Sequence, residues 1–270
     1  METYRLKLPS VPRVPILLSV PHCGAEFPDE IRSEYVGELI EAPNDTDWFV
    51  DDLYSFAPSL GITMISAVLS RWVIDLNRHP ESEPLYSDGR IITDLCPTTT
   101  FLGERLYSDG RKEVDSVEVS RRTRLYFNPY HQKLTQLMAE LRSQFGKVLL
   151  WDCHSIRQVV PTIQKEKFPD LILGSADGKS AHFSLIETAH NRLALGGYSL
   201  RHNHPFKGGY ITRHYGNPSE NQHVLQLEMS KVNYMDDSEK QYHPGRAEKM
   251  AVLLKSTFND LHRELLSLKD

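Results

Sequence analysis

The chain has 270 residues, of which 40% are hydrophobic and 25% are charged, a composition typical of a globular protein with a sizeable core. Its formal net charge is -5 and it has no long basic run, which argues against nucleic-acid and membrane partners. Individual basic residues are therefore expected to act at their own sites in the protein and not as part of a large basic surface.

Strand and helix signals alternate along the chain. Apolar or β-branched runs predict strands over residues 14–20, 62–68, 72–76, 148–151, 170–174, 198–202 and 224–229. Helical spacing and capping signals predict helices over residues 29–40, 48–56, 128–146, 181–195 and 244–265. Residues 80–110 show little periodicity, which predicts a long ordered loop. The alternation of strands and helices predicts one α/β domain over residues 1–270, with a mixed, mostly parallel sheet flanked by helices.

The N-terminus and the cysteines indicate the compartment. The first residues lack the layout of a signal peptide and no run of about 18 apolar residues occurs, so we expect a cytoplasmic location. Cys23, Cys96 and Cys153 are too few and scattered for a disulfide framework and are expected to be reduced thiols. The sequence indicates no oligomeric state.

Two histidines stand at the ends of apolar strand runs. His22 follows the first run, and His154 follows residues 148–151. Strands of this kind present their polar ends where open α/β sheets build active sites. Zinc in a hydrolase needs about three protein ligands from imidazole and carboxylate, with a position left for water. The sequence offers both histidines and an acid from Glu26, Asp45 or Asp47, the last two at the predicted start of a helix.

Each histidine has a cysteine beside it, which raises the alternative of a thiol nucleophile. Cys23 follows His22, and Cys153 precedes His154. Neighbouring residues on an extended backbone point to opposite faces, so neither pair can act as nucleophile and base. Both cysteines are therefore expected to be buried structural residues.

Two further segments and one acid suggest ligand contacts. Asn77-Arg78 would present a bidentate guanidinium beside an amide, which suits a carboxylate, although a surface ion pair is the alternative. Gly208-Gly209-Tyr210 would let the backbone approach a ligand, with Arg213 as a second carboxylate partner, although Gly-Gly also occurs in ordinary turns. Glu228 interrupts an apolar strand, so it is either a functional acid or a residue on a solvated face.

Six short motifs, in one order, resemble the N-formylglutamate amidohydrolase family over about residues 15–235. They are Ser19-Val20-Pro21-His22-Cys23-Gly24, Asp45-Thr46-Asp47-Trp48, Asp75-Leu76-Asn77-Arg78, Asp152-Cys153-His154-Ser155, Gly208-Gly209-Tyr210-Ile211 and Gln226-Leu227-Glu228-Met229. The resemblance implies a zinc carboxypeptidase-like fold, in which an α/β sheet carries zinc on a His, an acid and a second His.

The resemblance also implies roles for individual residues. It places His22 and His154 on the metal and suggests that Glu228 is the general base. Asn77-Arg78 is similar to the pair that holds a terminal carboxylate of the substrate in that fold.

The third metal ligand is where this chain departs from the carboxypeptidase pattern. Carboxypeptidases carry a Glu three residues after the first His, and this chain has Ala25 there. The predicted ligand is therefore Asp47, with Asp45 and Glu26 in reserve.

The function implied is a zinc-dependent amidohydrolase that cleaves the acyl group from an N-acylated acidic amino acid. The simplest reaction converts N-formyl-L-glutamate and water into L-glutamate and formate. Gly209, Tyr210 and Arg213 would join Asn77 and Arg78 in binding substrate, with Arg213 on the side-chain carboxylate. The alternatives are a carboxypeptidase or deacylase for another N-acyl amino acid, a non-catalytic binding protein for acidic small molecules and, more remotely, a cysteine hydrolase.

Overall fold

A computed structural model of the chain describes residues 2–81 and 94–269. Residues 82–93, which belong to the predicted loop over residues 80–110, lie outside the described residues. Residues 94–110 form turns and isolated bridges, in agreement with that prediction.

Seven strands form one mixed sheet in the part of the chain that is described. In chain order they are β1 (Tyr4–Lys7), β2 (Ile16–Val20), β3 (Thr63–Ala67), β4 (Val148–Ile156), β5 (Leu171–Gly174), β6 (Leu200–His202) and β7 (Gln222–Ser230). Their order across the sheet is β1-β3-β2-β4-β7-β5-β6. Only the β1–β3 and β5–β7 pairs are antiparallel. The predicted mixed, mostly parallel sheet is therefore confirmed.

Helices cover both faces of the sheet. They are α1 (Asp29–Arg32), α2 (Gly37–Glu41), α3 (Val50–Leu53), α4 (Ser116–Arg122), α5 (Asn128–Phe145), α6 (Phe183–Ala194), α7 (Tyr210–Tyr215) and α8 (Pro244–Ser267). The predictions of α5, α6 and α8 are confirmed because each carries a long apolar stripe along one side.

The central strand β4 is buried at every position and contributes to two hydrophobic clusters. Trp151 and Cys153 pack with α6 and α8, whereas Val148 and Leu150 pack with α5. Because side chains alternate along a strand, His154 projects on the α5 side. The polar residues lie within the strand itself, which extends five residues beyond the predicted residues 148–151.

The predicted strand over residues 72–76 is wrong. These residues form turns, with Val73 N bonded to Ser70 O at 2.9 Å and Asp75 N bonded to Leu95 O at 2.8 Å. The segment is apolar because it is buried beneath a neighbouring loop, not because it pairs in the sheet.

Two helix predictions near the N-terminus are also wrong in extent. The segment over residues 29–40 is broken into α1 and α2, because Val36 N bonds to Leu106 O at 2.8 Å and the Tyr35 hydroxyl is buried against Tyr107. The helix predicted over residues 48–56 is reduced to α3. Phe49, in the left-handed region at φ 62°, precedes it, so neither Asp45 nor Asp47 caps a helix.

Strand β1 and helices α4 and α7 were not predicted. Helix α4 has a capping signal in Asp115, whose side chain accepts hydrogen bonds from Val117 N and Glu118 N. None of the helices in the described ranges is both long and apolar enough to cross a lipid bilayer.

The buried His131 on α5 gives folding a specific pH dependence. Its Nε2–H donates to Leu76 O at 3.0 Å, and its Nδ1 lies 3.0 Å from the Tyr215 hydroxyl. Burial lowers the pKa of His131 to about 3. The unfolded chain, with a histidine pKa of about 6.5, binds this proton more readily, so stability falls as the pH drops from about 6.5 towards 3.

We expect His131→Gln to flatten that dependence. The free energy of unfolding should vary less steeply between pH 6 and pH 4, by about 1.4 kcal/mol per pH unit for one proton. Urea unfolding of both proteins at several pH values measures the slope. An identical slope in the variant would show that His131 is not the group responsible.

Candidate metal centre and active site

Three buried side chains converge at the carboxyl ends of β2 and β4. His22 follows β2, His154 lies in β4, and Asp47 comes from the loop before α3. The potential ligand atoms of this group all lie within 4.8 Å of one another. The loop reaches His22 because Asp47 N donates a hydrogen bond to His22 O at 2.9 Å. Both predicted histidines and the preferred acid are thus brought together.

Two of the three facing atoms of this group lack hydrogen-bond partners. His22 Nδ1 and Asp47 Oδ2 are buried without a hydrogen bond and lie 3.8 Å apart. His154 Nδ1 lies 3.4 Å from the same Asp47 oxygen. Burying polar atoms without partners is costly, whereas a cation would satisfy both atoms and would have His154 Nδ1 as a third ligand. Two imidazole nitrogens and one carboxylate oxygen form a donor set that zinc accepts in hydrolases, so the residues fit this metal.

Each imidazole also contacts a carboxylate other than Asp47, on the ring edge that faces away from the centre of the group. His22 Nε2 donates to Asp75 Oδ1 at 2.8 Å, and His154 Nε2 donates to Asp152 Oδ2 at 2.9 Å. Because Nε2 carries the proton, each Nδ1 is left to face the centre. Such carboxylate–histidine pairs fix the tautomer and ring orientation of metal ligands.

The pKa shifts show that His154 and Asp47 favour a positive charge between them, whereas His22 favours its neutral form. Burial and the Arg71 guanidinium lower the pKa of His22, which favours its neutral form. Burial opposes a charge on His154, but Asp152 and Asp47 raise its pKa well above the usual value. Burial likewise opposes ionisation of Asp47, yet His154 and His22 hold its pKa below the usual value. A proton or a metal cation therefore stabilises this group.

Arg71 supplies a buried positive charge that the sequence analysis did not identify. Its Nη2 donates to Asp75 Oδ2 at 2.7 Å, and its guanidinium lies 4.6 Å over the Phe101 ring. Burial would raise the pKa of Asp75, but Arg71 and His22 hold it well below its usual range. The ionised Asp75 can then accept the proton of His22 Nε2.

Glu228 on β7 stands beside His154 on β4. The two residues are paired in register between parallel strands, so their side chains leave the same face of the sheet. Glu228 is half-buried, and burial raises the pKa of its carboxyl to about 8. A carboxylate with such a pKa can both accept and donate a proton near neutral pH.

The Asn77 side chain is already engaged by the protein. Its Nδ2 donates to Asp152 Oδ2 at 3.1 Å, and its Oδ1 accepts from Ile211 N at 2.7 Å. A Cβ on Gly209 would come within 2.4 Å of this amide. The glycine backbone therefore approaches Asn77 closely, where a close approach to a ligand was expected. Asn77 in turn connects the start of α7 to Asp152, the carboxylate that orients His154.

The other predicted substrate-binding residues differ in exposure and in their contacts. Arg78 keeps 18% of its side chain exposed, with Nε 3.9 Å from Asp75 Oδ2. Tyr210 is buried, and its ring packs against His79 and His214. Arg213 is exposed and its Nε donates to Gly208 O at 3.0 Å. Their binding roles stay predictions.

The two reserve acids are placed elsewhere. Asp45 Oδ2 accepts hydrogen bonds from Trp72 Nε1 and Phe101 N, both at 2.9 Å. Glu26 is half exposed and pairs with Arg5 at the surface, at 2.9 Å. Neither belongs to the group that could hold a metal within the described ranges.

The cysteines have no feature of an activated nucleophile. Cys153 is completely buried on the face of the sheet opposite to His154. Burial raises the pKa of the thiols of Cys23 and Cys153 well above the usual value. A thiolate is the reactive form, so neither residue fits a nucleophilic role. Cys153 is buried as expected, whereas Cys23 is only half-buried.

A sequence signal could have revealed only one of the two orienting carboxylates. Asp152 precedes His154 by two residues, and that spacing on a strand places both side chains on one face. Asp75 and Arg71 offered no comparable signal, because their positions depend on the turn that the sequence analysis took for a strand.

Comparisons with known proteins find matches over most of the chain. The family model described as N-formylglutamate amidohydrolase matches residues 14–235. An N-formylglutamate deformylase of Pseudomonas putida is 40% identical over 251 residues, covering 92% of each chain. One from Pseudomonas aeruginosa is 40% identical over 226 residues, covering 83% of this chain and 84% of the relative. A crystal structure of N-formylglutamate amidohydrolase from Ralstonia eutropha JMP134 superposes with a TM-score of 0.78 at 25% identity, covering 96% of this chain and 98% of that one.

Proposed function

The chain belongs to the N-formylglutamate amidohydrolase family, and on that premise we propose that it hydrolyses N-formyl-L-glutamate to L-glutamate and formate. One observation carries the proposal: Glu228 stands in register beside His154, and His154 forms a buried group with His22 and Asp47 in which His22 Nδ1 and Asp47 Oδ2 lack hydrogen-bond partners. Hydrolysis of an amide by water requires a general base to deprotonate the water, and a neighbouring cation site activates both the water and the carbonyl group.

We assign zinc to His22 Nδ1, Asp47 Oδ2 and His154 Nδ1. When bound, zinc would polarise the formyl oxygen and lower the pKa of an attacking water to about 7. Asp75 and Asp152 support this assignment because they hold the two imidazoles with Nδ1 turned inward.

Glu228 moves the proton in this proposal. Its carboxylate takes a proton from the attacking water and later gives it to the departing amine nitrogen of glutamate. The raised pKa of its carboxyl supports both steps, because a group that titrates near the working pH is efficient in each direction.

Arg78 binds the α-carboxylate of the substrate. Its side chain is partly exposed, and it follows Asn77, whose amide is bonded to Asp152 beside His154. Asn77, Gly209 and Tyr210 are proposed to contact the same end of the substrate, and Arg213 is proposed to bind its side-chain carboxylate. A guanidinium fork suits a carboxylate because it offers two parallel N–H donors.

Arg78→Ala should therefore weaken substrate binding more than it slows the chemical step. A charge-assisted hydrogen bond contributes roughly 1.5–3 kcal/mol, so KM should rise by about 10- to 10²-fold while kcat changes little. Steady-state formate release against substrate concentration measures both parameters. Arg78→Lys, which keeps the charge without the fork, should fall in between, and unchanged kinetics in the Ala variant would reject the assignment.

A substrate series tests the proposed reaction. Formate release from N-formyl-L-glutamate should exceed the turnover of N-acetyl-L-glutamate and of N-formyl-L-alanine, which vary the acyl group and the side-chain carboxylate separately. Faster turnover of another N-acyl amino acid would change the substrate and keep the hydrolase. Binding of N-formyl-L-glutamate with no turnover by zinc-loaded protein would contradict the proposal.

A further inference from the structure

The proposed ligand Asp47 lies on a loop that is not stabilised by a regular element. The loop joins α2 to α3, and its Phe49 adopts a left-handed backbone conformation although it is not glycine. Such a conformation persists only when the surrounding structure holds it. Something must therefore fix the backbone on either side of Asp47.

A buried lysine contacts this backbone directly. Lys231 is 3% exposed, and its Nζ donates to Thr46 O at 2.7 Å and to Asn44 O at 3.5 Å. Within the described residues no carboxylate forms an ion pair with it. Burying an ammonium group costs folding free energy. That Lys231 is buried to bind two backbone carbonyls indicates that these contacts have a function.

A tyrosine one turn later contacts the other side of Asp47. Tyr234 is completely buried, and its hydroxyl lies 2.9 Å from Trp48 O and 2.8 Å from Ser155 Oγ. Lys231 and Tyr234 therefore contact the carbonyl groups immediately before and after Asp47.

The same segment directly follows the strand that carries Glu228. Residues Lys231–Asn233 form a short 3-10 helix right after β7, which ends at Ser230. The loop of Asp47 is thus fastened to the strand of the proposed base. Burial lowers the pKa of Lys231, while the nearby charge of Asp47 favours its ammonium form.

We propose that Lys231 is a positioning residue that holds the Asp47 loop in its metal-binding conformation, with Tyr234 as a secondary contact. The part of this inference that concerns metal rests on the proposed role of Asp47. By holding the Thr46 carbonyl, Lys231 keeps Asp47 Oδ2 directed at the two histidine Nδ1 atoms. By its place after β7, it also keeps Asp47 at a fixed distance from Glu228.

Lys231→Met tests this inference, with Lys147→Met as the matched control. Lys147 is also buried, and its Nζ also donates to a carbonyl, Leu268 O at 2.5 Å, but it precedes β4 at the opposite end of that strand. Two quantities are measured: amide hydrogen exchange of residues 43–50 in metal-free protein, and zinc affinity by competition with a chelator. In Lys231→Met, the amide hydrogens of residues 43–50 should exchange faster than in the wild-type protein. The variant should also bind zinc roughly 10- to 100-fold more weakly, the usual effect of losing an outer contact of a metal site. Lys147→Met should change neither quantity.

Several outcomes would overturn the inference. It fails if folded Lys231→Met protein keeps the wild-type exchange and zinc affinity, or if Lys147→Met reproduces its effects. Should Lys231→Met not fold, Tyr234→Phe removes only one hydroxyl and should change both quantities in the same direction by a smaller factor. Unchanged values in Tyr234→Phe would then reject the inference. A wild-type protein that binds no zinc would instead reject the proposed metal, and the exchange comparison would still decide the role of Lys231.

Discussion

Replacement of Glu228 by glutamine is expected to lower kcat for N-formyl-L-glutamate by about 10²–10⁴-fold, the usual contribution of a general base. Glutamine has nearly the same shape but cannot accept the proton of the attacking water. Glu228 is not part of the group that could hold a metal, so zinc content should stay at the wild-type value. Steady-state formate release and elemental analysis of the same preparation measure the two quantities.

Glu26→Gln is the matched control for this variant. It makes the same chemical change at a half-exposed surface residue paired with Arg5, and it should keep full activity. A Glu228→Gln enzyme with nearly wild-type kcat would show that another group moves the proton. Loss of zinc together with activity would show that Glu228 serves the metal instead.

Replacement of Asp47 by asparagine is expected to cost both zinc and activity. The change removes the charge and weakens one of three proposed ligands, so zinc affinity should fall by more than the roughly 10- to 100-fold typical of outer contacts. Competition with a chelator measures this affinity. At buffered low zinc the variant should release almost no formate, and excess zinc should restore part of the activity.

The reserve acids serve as controls for Asp47. Glu26→Gln should bind zinc normally. Asp45→Asn should also keep its zinc, because the Asp45 carboxylate is occupied by Trp72 Nε1 and Phe101 N. If Asp45→Asn lost zinc while Asp47→Asn kept it, the assignment of the third ligand would be wrong.

The elements that could be predicted from the sequence are those whose own apolar pattern determines their structure. Strands β2, β4 and β7 are runs of apolar residues, and α5 and α8 carry long apolar stripes, so burial and local pattern agree. Residues 72–76 were misassigned because their apolar character comes from burial in a turn. Helix α7 was missed because it begins directly at Gly209, where glycine favours a turn.

The candidate site divides in the same way. His22 and His154 could be predicted because strand ends mark active sites in α/β sheets. Asp47 was the preferred acid, but the sequence offers no geometric reason to prefer it to Asp45, because its position depends on the hydrogen bond from Asp47 N to His22 O, which joins distant parts of the chain. Lys231 was missed for the same reason: its contact with Thr46 spans 185 residues of sequence.

The most direct test of the account combines zinc content with formate release before and after chelation. Purified protein should contain about one zinc per chain and release formate from N-formyl-L-glutamate, and a chelator should abolish that activity until zinc is returned. Undiminished formate release by protein shown to be free of metal would contradict the metal centre. No formate release by zinc-loaded protein would contradict the proposed reaction.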